Sequence, residues 1–173
     1  METKIKRHNK KILHPTKREE KLQCNCRNKE LCPFDGNCRD KGIIYQCTVT
    51  TKDDMKEVNY KGVTEGEGKH RVGTHTTSFN NVKYRNSSEL SKYIWKLKDD
   101  KREYELKWKI IGKSNPYING TKKCNLCTTE KLHIINSDNN NTINKRSELI
   151  SKCRHENKYY LINYKASRKK PRQ

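Results

Sequence analysis

The sequence predicts an α+β fold: a small three-stranded antiparallel sheet flanked by helices, with a cysteine-rich zinc-binding loop and basic tails. Three observations carry this expectation. Two runs of β formers, residues 43–50 and 57–62, flank a polar stretch containing Lys52-Asp53-Asp54, which is a hairpin signal. Over residues 105–111, Leu106, Trp108 and Ile110 alternate with charged side chains, the period of a half-buried third strand. Over residues 87–98, Leu90, Tyr93, Ile94 and Leu97 fall at i, i+3, i+4 and i+7, the period of an amphipathic helix capped by Ser87 or Ser88.

Composition sets the limits. The 173 residues allow one domain with tails, and with 30% apolar residues the core is small, so metal staples help. The formal net charge is +20. Residues 1–23 and 165–173 each carry +5, which leaves +10 on residues 24–164. The basic excess is therefore not confined to the ends, and a field of that sign favours a nucleic acid before a membrane. No run of 18 apolar residues exists, and the first residues lack the apolar centre of a signal peptide. An intracellular, reducing setting is the default, where eight cysteines suggest metal rather than disulfides.

In chain order, residues 1–23 form a basic arm interrupted by Pro15. Residues 24–41 hold Cys24, Cys26, Cys32 and Cys38 around Pro33 and Gly36. Four thiols in so short and polar a loop fit a tetrahedral structural zinc site, although the spacing departs from C-x2-C. The domain proper spans residues 42–164. Tyr45 and Tyr60 sit on its first two strands, and Gly62 closes the second run as a tight turn. A short helix over residues 69–79 places Arg71 and His75 four apart on one face, weakened by Gly73.

A helix beginning at the C-x2-C of Cys124 and Cys127 puts Cys127, Glu130 and Ile134 on one face. A carboxylate facing inward is costly unless paired or bound to a cation, which is the one reason in the residues themselves to prefer Glu130 as a metal ligand over a surface acid. Cys153 and His155 add C-x-H, so Cys124, Cys127, Cys153 and His155 make a second candidate zinc site. Asn144 opens a last helix over residues 145–152 as its cap, and it can also hold a loop near the site, one residue doing both. Residues 159–164 add a strand or cover the core, and residues 165–173 form a basic tail.

Ile43-Ile44-Tyr45 and Tyr60-Lys61-Gly62 resemble the two motifs of the GIY-YIG nucleases. Further segments resemble the endonuclease portion of Penelope-like retroelements. They are His8-Asn-Lys-Lys-Ile-Leu13, the first cysteine group, Thr64-Glu65-Gly66, Tyr84-Arg-Asn-Ser-Ser-Glu-Leu-Ser, Cys124-Asn-Leu-Cys127 with Glu130-Lys131, and Asn144 through His155. The resemblance implies a metal-dependent endonuclease that nicks double-stranded DNA. Its catalytic residues are then Tyr45, Tyr60, Arg71, His75, Glu130 and Asn144. Glu130 holds Mg2+ or Mn2+, and no small-molecule cofactor or membrane is involved. It also implies a nuclear location and a reverse transcriptase as partner or lost fusion partner. Two departures bear on activity: Lys61 stands where the family has an apolar residue, and Val72-Gly73 follows Arg71 in place of an aromatic and a polar residue. They leave open a catalytically inactive, zinc-stabilised nucleic-acid-binding remnant.

Overall fold

The computed structural model describes residues 23–137, 141–145, 153–157 and 159. The basic arm, the basic tail, the expected helix over 145–152 and the expected strand over 159–164 lie almost wholly outside them.

Three strands form one antiparallel sheet in the order β2-β1-β3, with β1 at Ile43–Thr51, β2 at Glu57–Thr64 and β3 at Tyr104–Lys113. Period-two patterning explains the sheet's two faces. Tyr45, Cys47 and Val49 of β1 are buried and pair with Gly62, Tyr60 and Val58 of β2. On the other side they pair with Ile110, Trp108 and Leu106 of β3. That apolar face is covered by helix α1 (Gly68–Asn80) and helix α2 (Glu89–Asp99), whose Phe79, Leu90, Ile94 and Leu97 complete the main core. Most of the opposite face is polar, carrying Gln46, Thr48, Asn59, Lys107 and Lys109. At one end it turns apolar: Ile44 and Val63 meet helix α3 (Asn125–Ile135) in a second, smaller core. A register shift between Ile44 and Tyr45 against β3 lets one strand serve both cores.

The hairpin forms where expected. The Asp54 carboxylate accepts from Thr51 Oγ1 and from the Lys56 amide at 3.1 Å. Arg102 pairs with Asp53 at 2.6 Å and Asp54 at 2.7 Å, tying the hairpin to the turn before β3. For α2, Ser88 is the cap, accepting from the Ser91 amide at 3.0 Å.

The expectation for Gly62 is corrected. Glycine does not end the strand here, since β2 runs on to Thr64. A Cβ at Gly62 would stand 2.5 Å from Tyr45 Oη and 2.7 Å from its Cζ, so glycine is required because the Tyr45 ring lies on the backbone. The helix carrying Arg71 runs unbroken through Gly73. Neighbours hold both its ends. The Gly68 and Lys69 amides donate to Asp40 O (3.0 Å) and Cys38 O (2.8 Å) in the cysteine loop. Trp95 Nε1 and Lys98 Nζ donate to Ser78 O (2.9 Å) and Phe79 O (2.5 Å).

Candidate functional site

The tyrosines sit one strand apart on the buried face, with ring centroids 6.5 Å apart. They differ in access: Tyr45 is sealed at 0% exposure and Tyr60 retains 9%. Helix α1 lays Arg71 and His75, one turn apart, onto the same phenol. Arg71 Nε donates to Tyr45 Oη at 2.9 Å, and Tyr45 Oη lies 2.8 Å from His75 Nε2. His75 is packed between Phe79, stacked at 6.0 Å, and Trp108 at 5.6 Å. Its ring also meets Tyr60 edge-on at 5.8 Å.

Protonation follows from this enclosure. Burial, and then the Arg71 charge, push the His75 pKa down to about 3. The imidazole is therefore neutral at pH 7, and Tyr45 Oη stands between the Arg71 Nε–H that it accepts and His75 Nε2. Burial raises both phenols, and Arg71 opposes the rise at each. Neither tyrosine is a ready base in the protein alone.

Glu130 comes from α3, and its charge is felt by the same groups. Its carboxylate is half-buried, raised by desolvation and drawn back by the charges of Lys131, Arg71 and His155. The same carboxylate raises both Tyr45 and Tyr60. Glu130 thus lies within electrostatic reach of the guanidinium and both phenols. A partly buried carboxylate is a group to which a divalent cation can bind.

Asn144 reaches the site only through backbone. Its Oδ1 accepts from the Lys61 amide at 2.7 Å and its Nδ2 donates to Lys61 O at 2.8 Å. With the Asn59–Thr142 bridge, this clips the segment to the outer edge of β2 beside Tyr60. These bonds fit the loop-holding role; the expected helix that Asn144 would cap lies outside the described residues. The amide holds the Lys61 backbone on both its N–H and its carbonyl.

Both cysteine groups could hold a metal ion such as zinc. The ligand atoms of Cys24, Cys26, Cys32 and Cys38 lie within 4.8 Å of one another, as do those of Cys124, Cys127, Cys153 and His155. Tetrahedral zinc at ordinary bond lengths sets sulfurs about 3.8 Å apart and sulfur to nitrogen about 3.6 Å apart. Cys38 Sγ lies 3.6 Å from both Cys24 Sγ and Cys26 Sγ. His155 Nδ1 lies 3.4 Å from the sulfurs of Cys124, Cys127 and Cys153. Amides already point at the sulfur atoms, Gly36 at Cys32 (3.2 Å) and Cys26 at Cys24 (3.4 Å), as ligands stabilised by outer partners require. Cys47, the one cysteine in neither group, is a small buried side chain of the core.

Sequence reasoning missed three contributors. Trp108 was legible as an inward strand residue but not as the wall behind His75. Gly62 was legible as a glycine but not as the floor under Tyr45. Lys61 was a departure from a motif, and its ammonium proves to be bound to the end of α3. Among the described residues, no helix is long and apolar enough to cross a membrane. No family model, curated protein or solved structure matches the chain.

Proposed function

We propose that this chain is a metal-dependent endonuclease that nicks DNA, with a site of the GIY-YIG kind. The observation that carries the proposal is the convergence of five side chains from four elements: the Arg71–Tyr45–His75 hydrogen-bond chain, Tyr60 beside it, and Glu130 within electrostatic reach of all but His75. Residue by residue, the roles follow from exposure and charge. Tyr45 is enclosed, so it orients the Arg71 guanidinium and keeps His75 in one tautomer. Arg71 carries the fixed positive charge that stabilises negative charge building on a scissile phosphate. Tyr60, the more accessible phenol, positions the attacking water by hydrogen bonding. Glu130 holds Mg2+ or Mn2+, which supplies charge neutralisation at the phosphate and the leaving oxygen. Zinc is the ion proposed for both cysteine groups.

Charge supports a nucleic-acid partner, given a net +20. Double-stranded DNA, a nuclear setting and a retroelement origin with a reverse transcriptase partner belong to the same reading. The test is nicking of supercoiled plasmid with Mg2+. Glu130→Ala and Arg71→Ala should each lower the rate at least about 100-fold, the usual consequence of removing a group aimed at transition-state charge. Undiminished cutting by both variants sinks the proposal.

The enclosure of Tyr45 favours a second reading, a zinc-stabilised nucleic-acid-binding module without chemistry. It requires salt-sensitive binding that survives Glu130→Ala, and no cleavage with any divalent ion.

A further inference from the structure

Lys61 stands between Tyr60 and Gly62 on the outer strand, and its side chain leaves the sheet for α3. Its Nζ donates to His133 O at 2.7 Å and also to Ser137 Oγ. Ser137 Oγ in turn donates to His133 O at 2.8 Å. His133 O belongs to the last turn of α3, where carbonyls lack helical partners and a cation is favoured. Glu130 lies one turn earlier on the same helix. The Lys61 backbone is meanwhile held on both its amide and its carbonyl by Asn144. One residue therefore joins three segments: the strand of Tyr60, the helix of Glu130 and the segment of Asn144.

We infer that Lys61 is a positioning residue, the strut that fixes the Glu130 carboxylate relative to Tyr60 and Arg71. This rests on the nuclease reading above. A strand and a helix packed through apolar side chains can slide, because such contacts have little directional preference. A hydrogen-bonded ammonium at a helix end is directional and fixes the helix along its axis. The polar residue in the second motif is thus a replacement mechanism for setting the helix, not a blemish in the sheet.

The experiment compares Lys61→Met, which keeps the stem and removes the charge, with Lys61→Arg and Ser137→Ala in the full chain. Ser137→Ala removes one acceptor without touching the sheet, so it stays informative if Lys61→Met folds poorly. Mn2+ affinity by electron paramagnetic resonance, nicking kcat and KM for plasmid are measured together. Lys61→Met should weaken Mn2+ binding and lower kcat about tenfold or more, as loss of a group that orients a metal ligand does, with KM for DNA unchanged. Arg should restore most of both, and Ser137→Ala should show a smaller loss of the same kind. A Lys61→Met variant that binds Mn2+ and turns over like the unaltered chain overturns the inference. So does one whose defect lies in KM, which makes Lys61 a DNA contact, or one that Arg fails to rescue. If the unaltered chain neither nicks nor binds Mn2+ through Glu130, the nuclease reading itself fails, and that is visible before any Lys61 variant is made.

Discussion

The group of Cys24, Cys26, Cys32 and Cys38 closes over fourteen residues, whereas that of Cys124, Cys127, Cys153 and His155 closes over thirty-one. The entropy difference between the two closures is only about 0.7 kcal/mol. What separates them is where they pack. Cys32, Phe34 and Cys38 share the main core with Tyr45, Val49 and Leu90. The second group shares a small core with Ile44 and Leu126. Each stands at the start of a helix that carries a charged group of the site. Carbonyls of Cys38 and Asp40 accept from the first amides of α1, ahead of Arg71. Cys124 caps α3, and Cys127 lies one turn before Glu130. The proposed site is therefore assembled from two halves, one continuous with the main core and one fastened at the side.

The largest effect separates the halves. Cys38→Ser removes a fully buried ligand from the main core and should abolish the cooperative thermal melt. Structural zinc contributes about 10–16 kcal/mol in small zinc peptides, as much as a domain's entire stability of about 5–15 kcal/mol. Cys127→Ser should lose one equivalent of bound metal while the sheet, α1 and α2 still melt together. Amide exchange should then rise over Asn125–Ile135 and nicking should stop. Metal analysis, calorimetry and hydrogen exchange read this directly. Equal collapse in both variants would mean that the halves are one unit.

Acid sharpens the comparison, because the two halves respond with opposite sign. His75 has a folded pKa of about 3, below its ordinary value of 6.5, with burial and Arg71 as the causes. Its contribution is fully present above pH 6.5 and is lost as pH falls toward 3, at about 1.4 kcal/mol per pH unit inside that window. Tyr45 and Tyr60, the titratable groups that face it besides Arg71, stay neutral throughout the window. Glu130 is raised above its ordinary 4.5, so its contribution is present at low pH and declines as pH rises through the folded value. Urea melts from pH 3 to 7 should therefore show a flatter acid limb for His75→Gln and less decline above pH 4.5 for Glu130→Gln. The same change in both profiles would break the contrast.

Local pattern disclosed most of the main core and little of what fastens the side. The inward alternation of Leu106, Trp108 and Ile110, the spacing of Leu90, Ile94 and Leu97, and the Asp-Asp turn are each set by neighbours in sequence. So is the sharing of one helical face by Arg71 and His75. Both metal groups were legible because thiols in close sequence have few other uses. The half-buried place of Glu130 was legible from its sharing a helical face with Cys127 and Ile134. The contacts of Lys61 with His133 and Ser137, and of Asn144 with Lys61, lie more than seventy residues apart in the chain. No periodicity encodes such pairs. A lysine in a strand looks like a solvated edge residue until the helix that receives it is in place.

The smallest of these effects probes the seam between the halves. Gly62 lies on β2 with Tyr45 Oη above it and Tyr60 Cε1 also close, where an added Cβ would meet them at 2.5 and 3.1 Å. Gly62 needs no unusual φ, so alanine there acts through crowding alone. Gly62→Ala should cost about 1–3 kcal/mol, the range for an overpacked core. The ring that must move is the one holding Arg71 and His75. If the two halves meet at this ring, the nicking rate should fall further than the loss of folded protein explains. The His75 share of the acid response should also shrink as its bond to Tyr45 is strained. If activity falls only in step with folded fraction, Gly62 is ordinary packing, and Tyr45 does not transmit position from the sheet to Arg71.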